Sequence, residues 1–303
     1  MAVQPSTILY ITGPGRCGGT LLGRLLDQFE GVFYVGELRQ IWRPGLAQRI
    51  CACGAAVGDC PFWQAVFARA WGESGAPDLA WADALRLRFT RTRHALRALP
   101  PPGRAPDLDR FVALLGRLYG AIVEVSGCRV LVDSSRMTAY ARLLARALPE
   151  ARILPLHLVR DPRAVVFSWQ RRASRAGAPM AVALRPKHAL RAALEWNVQN
   201  ALAEAWRRRA GGALVRYEDL IAEPARALRS ALAPAGLSAE ADFIEGAVAR
   251  LRPGHSLEGN VYRLARGDVP LRLDDAWQTG LPPGLRRQVA LLCWPLMQRY
   301  GYA

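Results

Sequence analysis

Long hydrophobic runs are missing from this sequence. No uninterrupted apolar stretch approaches the roughly 20 residues that a membrane-spanning helix needs. The apolar run at 8–11 is too short for a signal sequence, and no charged segment precedes it. We therefore expect a soluble, cytoplasmic protein without a membrane span.

Lysine is almost absent as well. Lys187 is the single lysine among 41 basic residues, and the formal net charge is +16. Such a charge can attract nucleic acid or other polyanions. The arginines are spread along the chain, however, and no nucleic-acid-binding motif accompanies them. A basic nucleic-acid-binding protein is thus an alternative that rests on charge alone, and we expect no nucleic-acid partner.

The absence of lysine matters most in the segment GPGRCGGT at 13–20. Gly13, Gly18 and Thr20 keep the spacing of the ATP-binding loop G-x-x-x-x-G-K-[ST], but Gly19 stands where the lysine would bind the β- and γ-phosphates. A kinase using ATP is therefore a weaker alternative. Backbone amides and Arg16 suit a single 5′-phosphate that carries another small anion.

Strand and helix patterns alternate along the chain. Short apolar runs at 7–12, 129–132, 153–159 and 213–216 predict buried strands, and helical spacing separates them. This order predicts an α/β fold with three layers, αβα, around a central parallel sheet, as in P-loop NTPases. Helices are also predicted at 79–98 and 239–250. No repeat and no firm domain boundary interrupts the pattern, so we expect one domain over 1–303.

Polar residues follow the predicted strands, at the edge of the sheet where parallel α/β proteins bind ligands. Arg160 ends the strand at 153–159, and Ser168 lies about two turns into the next helix, which Asp161 caps and Pro162 begins. We interpret Arg160 and Ser168 as a second anion site. Two anion sites on one edge predict a nucleotide with phosphates at both ends of its ribose.

These motifs resemble the sulfotransferase family that uses 3′-phosphoadenosine 5′-phosphosulfate (PAPS), in its bacterial and carbohydrate-type branches. Residues 15–20 are similar to the family's phosphosulfate loop, usually R-S-G-T-T, although Cys17 and Gly19 lack two hydroxyl groups found there. Residues 158–168 resemble its 3′-phosphate element. Further similar segments lie at 132–136, 216–220, 255–260 and 294–301.

The resemblance implies sulfuryl transfer from PAPS, which leaves adenosine 3′,5′-bisphosphate, to a hydroxyl of a small-molecule or glycan acceptor, with no metal required. It implies that Tyr217 lies by the nucleoside. The irregular regions at about 40–106 and 174–186 are expected to be insertions that contact the acceptor. The implied ligands of the cofactor's anionic groups are Gly15, Arg16, Cys17, Gly18, Gly19, Thr20 and Leu21 at the 5′ end, and Arg160, Ser168, Gly259, Asn260 and Arg263 at the 3′ end.

The acceptor hydroxyl needs a general base within hydrogen-bonding reach. Glu37 is the first candidate, because it follows a short strand and a glycine where some members of the resembled family place a catalytic glutamate. His255 is the second candidate. Arg16 and Arg136 are expected to stabilise developing charge, with an ion pair to Asp133 as the alternative for Arg136.

Three of the six cysteines crowd into ten residues. Cys51, Cys53 and Cys60 could bind zinc, form a disulfide or simply pack in the interior. The C-x-C spacing is unusual for zinc, and no fourth ligand is apparent nearby. We therefore favour packing and predict no metal ligand. The sequence leaves monomer and homodimer open.

Overall fold

The computed structural model describes residues 7–72, 75–171, 187–238 and 240–303. At its centre lies a sheet of five parallel strands in the order β2-β3-β1-β4-β5. The five strands are β1 (Thr7–Thr12), β2 (Val32–Gly36), β3 (Val130–Arg136), β4 (Arg152–Val159) and β5 (Ala213–Arg216). The predicted parallel sheet is confirmed.

Helices cover both faces of this sheet. Along β1, Leu9 and Ile11 pack into one hydrophobic core, and Ile8 and Tyr10 pack into another on the opposite face. The helices are α1 (Gly19–Leu26), α2 (Pro61–Trp71), α3 (Leu79–Phe89), α4 (Pro106–Ser126), α5 (Thr138–Ala147), α6 (Pro162–Gln170), α7 (Ala189–Ala210), α8 (Tyr217–Ala222), α9 (Pro224–Leu232), α10 (Trp277–Gly280) and α11 (Pro283–Tyr300). The first core includes residues of α1, α7, α9 and α11, and the second includes residues of α2, α4 and α5. This is the expected three-layer αβα arrangement.

Two predicted helices are wrong in whole or in part. The helix predicted at 79–98 ends at Phe89, where buried Thr90 bonds its hydroxyl to the Arg86 carbonyl at 2.5 Å and receives the Arg39 Nε–H at 2.7 Å. Where a helix is predicted at 239–250, the described residues 240–250 contain two strands instead. These are β6 (Ile244–Glu245) and β7 (Val248–Leu251), which with β8 (Gly267–Pro270) make a small antiparallel sheet.

The alternating burial of residues along β7 explains why the helix predicted at 239–250 is wrong. Along β7 the residues are exposed and buried in turn, so the buried side chains, Ala249 and Leu251, repeat every two residues rather than every three or four. Gly246, with φ of 57°, makes the turn between β6 and β7.

The predicted start of α6 agrees with the structure, and the predicted position of β3 agrees in part. Asp161 caps α6 by accepting the Arg163 amide at 2.8 Å, with Pro162 at its first position, as predicted. β3 is longer than predicted and includes its polar end, 133–136. The proposed insertion at 174–186 lies outside the described residues. In the described part of the chain, no helix is both long and apolar enough to cross a bilayer.

Candidate active site

Four strands, β1, β3, β4 and β5, lead into a cavity of about 320 Å³ at their carboxyl ends. We call it the arginine cavity, because Arg16, Arg136, Arg160 and Arg272 line it. Its volume is at the lower end of the range for small-molecule sites. The predicted site residues that line it are Arg16, Cys17, Gly18, Gly19, Thr20, Leu21, Glu37, Arg136, Arg160, Ser168, Tyr217, Gly259 and Asn260.

The glycine loop between β1 and α1 leaves its backbone accessible to a ligand. Gly18 has φ of 93°, and a Cβ there would lie 2.6 Å from the ring of Tyr217. α1 begins at the next residue, with no acidic side chain in its first turn and no side chain bonded to its N-cap. Gly18, Gly19 and Thr20 all line the cavity. The amides at this helix start can therefore bind an anion.

Arg160 joins the glycine loop to the far wall of the cavity. It is 6% exposed and donates from Nη1 to the Arg16 carbonyl at 3.1 Å. Its Nη2 donates to the Asp274 carbonyl at 2.8 Å and pairs with the Asp274 carboxylate at 3.1 Å. The guanidinium carbon lies 4.4 Å from the ring centre of Tyr217. These contacts fix one positive charge close to the loop, and Ser168 lines the same cavity.

The cavity retains hydrogen-bonding capacity that the described residues do not use. The Nε atoms of Arg16, Arg136 and Arg160 are buried and have no hydrogen-bond partner among them. Burial lowers the pKa of Arg16, and the positive charge of Arg136 lowers it further. Buried polar groups are normally satisfied.

Glu37 faces this positive charge from the end of β2. Its Oε2 accepts a hydrogen bond from Arg136 Nη2 at 2.9 Å, with the two side chains 16% and 26% exposed. The alternative pairing of Arg136 with Asp133 is wrong. Asp133 is fully buried, accepts from the Tyr119 hydroxyl and from the Ser135 amide, and has its pKa raised to about 6 by burial. Arg136 is therefore available to orient the carboxylate at 37.

Backbone strain is concentrated at the same place. Within the described ranges, three residues other than glycine have positive φ: Arg16 at 73°, Arg136 at 66° and Glu258 at 59°. All three line the arginine cavity. Such conformations cost about 1–3 kcal/mol each and cluster at functional sites.

Three predicted site residues do not line the cavity. Gly15 lies just behind the wall, where a Cβ would be 2.8 Å from Arg136 Nη1. Arg263 is 3% exposed and donates to the Ile50 carbonyl at 2.6 Å. His255 lies among cysteine side chains, with its Nδ1 3.3 Å from Cys60 Sγ. His255 therefore does not line the arginine cavity, whereas Glu37 does.

Sequence reasoning missed several residues that line the cavity. Trp169 packs under the guanidinium of Arg16, with 5.2 Å between the guanidinium carbon and the ring centre. Its position beside Ser168 could have suggested a role. Arg272 and Asp274 come from the segment after β8, and no motif around them signals a site. Only the folded chain brings that segment to the sheet edge.

Comparison with known proteins places these features in a family. The model of the sulfotransferase family matches residues 9–241. The sulfotransferase domain from the curacin biosynthetic pathway is similar in structure, with a TM-score of 0.50, 19% sequence identity, and coverage of 95% of this chain and 97% of that domain.

The sulfotransferase domain of the Synechococcus PCC 7002 olefin synthase aligns over 95% of this chain and 94% of its own length, with a TM-score of 0.46 and 19% identity. A search of the curated proteins gives no match. The likeness to the curacin domain supports the P-loop-like fold, and the family model covers well over half of the sequence. The chain therefore belongs to the sulfotransferase family.

Proposed function

We propose that the protein transfers a sulfuryl group from PAPS to a hydroxyl of a small-molecule or glycan acceptor. Membership of the sulfotransferase family supports sulfuryl transfer in general. The observation that carries the finer proposal is the contact between Arg160 and the glycine loop, 3.1 Å from Nη1 to the Arg16 carbonyl. It unites two candidate anion sites in one cavity.

The residues of the arginine cavity fit a ligand with two separated anionic groups. The amides of Gly18, Gly19 and Thr20, together with Arg16, would hold the 5′-phosphosulfate. Arg160 and Ser168 would hold the 3′-phosphate. The positive charges of Arg16 and Arg160, which both line the cavity, support this assignment, because charge-assisted hydrogen bonds to oxyanions are strong.

Further residues have proposed roles around the nucleotide. Tyr217 would pack against the nucleoside, since its ring already packs against Arg160. Asn260 and Gly259 would close the cavity, because the Asn260 amide donates to Thr20 Oγ1 at 3.1 Å. Arg263 would act only by supporting this segment, given its buried contact with Ile50.

When bound, PAPS supplies an activated sulfuryl group on its 5′-phosphate. Glu37 would accept the proton of the acceptor hydroxyl as that oxygen attacks sulfur, and Arg136 would keep the carboxylate oriented through their 2.9 Å contact. Arg16 and Arg136 would stabilise the negative charge that grows on the departing phosphate oxygen. Because arginines supply this positive charge, we propose that the transfer step requires no metal.

The competing functions are less well supported. In P-loop kinases the Ser or Thr of the loop binds Mg²⁺, whereas here the Thr20 hydroxyl accepts the Asn260 amide and Gly19 replaces the lysine. For nucleic-acid binding, the basic run 207–209 is only partly neutralised, since Arg207 and Arg208 share the one carboxylate of Glu204 at 3.0 and 2.8 Å, and no recognised nucleic-acid-binding motif accompanies its charge. We propose neither activity.

Thermal unfolding with three ligands tests the proposal. Adenosine 3′,5′-bisphosphate should raise the melting temperature more than AMP does, because only the bisphosphate reaches both anion sites. ATP with Mg²⁺ should have a smaller effect than the bisphosphate. An equal rise in melting temperature with AMP would contradict the proposed second anion site. A larger rise with ATP and Mg²⁺ than with the bisphosphate would favour a kinase.

A further inference from the structure

The three clustered cysteines meet a histidine from a distant part of the chain. Cys60 Sγ lies 3.7 Å from both Cys51 Sγ and Cys53 Sγ. His255 Nδ1 lies 3.3 Å from Cys60 Sγ and 3.8 Å from Cys51 Sγ. All four ligand atoms lie within 4.8 Å of one another. We call these four residues the thiol cluster.

These distances match the edges of a zinc tetrahedron. With Zn–S bonds of about 2.3 Å and Zn–N bonds of about 2.0–2.1 Å, neighbouring sulfur atoms are about 3.8 Å apart, and sulfur and nitrogen about 3.6 Å apart. The four separations of 3.3–3.8 Å given above scatter around those values, and the other two pairs of ligand atoms lie within 4.8 Å. A disulfide needs sulfur atoms about 2.05 Å apart and would leave the third thiol and the imidazole without a role.

Local backbone structure brings the three thiols together. The Cys51 amide donates to the Ala55 carbonyl at 2.8 Å, and the Gly54 amide donates back to the Cys51 carbonyl at 2.9 Å. Gly54, with φ of 97°, permits this tight turn. Cys60 stands directly before α2, whose first residue is proline. A turn followed by a helix start is a compact scaffold for three ligands.

The imidazole is held by a separate set of contacts. The ring of His255 stacks on Phe62, with 4.9 Å between the ring centres and an interplanar angle of 14°. Trp63 donates its indole N–H to the His255 carbonyl at 2.9 Å. The Ala52 amide donates to the Ser256 carbonyl at 3.2 Å. The stacked ring and the two backbone contacts limit the positions that the imidazole can adopt.

We propose that Cys51, Cys53, Cys60 and His255 form a structural zinc site. Three thiolates and one neutral imidazole complete a tetrahedron, and none of the four residues lines the arginine cavity. A closed four-ligand set leaves no position for substrate, which distinguishes structural from catalytic zinc. Binding releases the thiol protons to solvent and transfers no electrons.

The site would fix one wall of the arginine cavity. From His255 the chain continues to Leu257, whose amide donates to the Val35 carbonyl and whose carbonyl accepts the Glu37 amide, both at 2.8 Å. Gly259 and Asn260 follow and line the cavity. The zinc would thus tie the segment 51–60 to the segment that contacts Glu37 and the glycine loop.

Metal content of the purified full-length chain tests the proposal directly. Protein made in zinc-supplemented medium should contain about one zinc ion per chain by elemental analysis. Cys53→Ser and His255→Gln should each weaken zinc binding at least about tenfold, since even outer-shell changes cost about 10–100-fold. Cys128→Ser, which removes a buried thiol outside the cluster, should retain the metal.

A second measurement avoids dependence on variants that fold poorly. Co²⁺ added to metal-stripped wild-type protein should produce the absorption of tetrahedral cobalt bound to thiolates, and Zn²⁺ should abolish it. Zinc at background level together with no cobalt signal would overturn the proposal. So would a disulfide among the three cysteines by mass spectrometry, or equal zinc retention by Cys53→Ser and Cys128→Ser.

Discussion

The arginine cavity and the thiol cluster are built in opposite ways. The cavity collects charged side chains from the ends of parallel strands and leaves buried donors without acceptors. The thiol cluster collects three thiols and an imidazole whose ligand atoms lie within 4.8 Å of one another. The first arrangement suits a ligand that arrives and leaves, and the second suits one that stays. The segment 255–260 connects them.

The largest expected effect comes from the cavity. Glu37→Gln should lower kcat by roughly 10²–10⁴-fold, the usual contribution of a general base. Affinity for adenosine 3′,5′-bisphosphate should stay nearly unchanged, because Glu37 contacts Arg136 rather than the loop. Steady-state kinetics and calorimetry measure the two quantities. Glu30→Gln, at an exposed position, is the control, and wild-type turnover in Glu37→Gln would exclude Glu37 as the base.

Arg160→Lys should have the next largest effect. It should reduce the preference of the cavity for a nucleotide with two phosphate groups over one with a single phosphate. Lysine keeps the charge but loses the guanidinium fork, so bisphosphate affinity should fall about 10–100-fold, as for the loss of hydrogen bonds to a charged group. AMP affinity should change much less. Arg152→Lys, at the opposite end of β4, is the matched control. A parallel loss of AMP and bisphosphate affinity would contradict a 3′-phosphate role.

Metal removal tests whether the two regions are coupled. If zinc fixes the segment 255–260, its removal from folded protein should weaken bisphosphate binding on the order of tenfold, within the usual range for coupled sites. Restoring zinc should restore affinity. Calorimetry before and after reconstitution measures the change. Unchanged affinity in the metal-free protein would show that the thiol cluster and the arginine cavity are independent.

A smaller effect is expected where the connecting segment meets the loop. Gly259 has φ of 111°, and a Cβ there would lie 2.7 Å from Thr20 Oγ1. Gly259→Ala should weaken bisphosphate binding several-fold, by about 1 kcal/mol. Gly236→Ala is a matched control, because φ is 70° there and a Cβ would meet nothing within 4 Å. Equal bisphosphate affinities of the two variants would show that close contact between residue 259 and Thr20 does not affect binding.

Much of the arginine cavity could be predicted from the sequence. The elements 13–20 and 158–168 are continuous segments, and parallel strands bring their ends to one edge of a sheet. Arg16, Arg160 and Ser168 therefore line one cavity, as expected. The residue types that bind anions lie within two short segments, and the parallel topology of the sheet brings those segments together.

The thiol cluster could not be predicted in that way. Its fourth member, His255, lies 195 residues after Cys60, so no spacing rule reports the contact. From the sequence alone, His255 is a candidate base and packing is favoured for the cysteines, because nothing in the linear sequence connects the two segments. The hairpin of β6 and β7 was also missed, because a short amphipathic pattern with one glycine fits either period. The contact of His255 with the cysteines and the pairing of β6 with β7 both form only when the chain folds.

The central claim is that one cavity holds both phosphates of a single nucleotide. Isothermal titration of adenosine 3′,5′-bisphosphate and of AMP into the unmodified protein tests it most directly. The account predicts that the bisphosphate binds at least about tenfold more tightly, as expected for an added charged contact. Equal dissociation constants for the two nucleotides would contradict it.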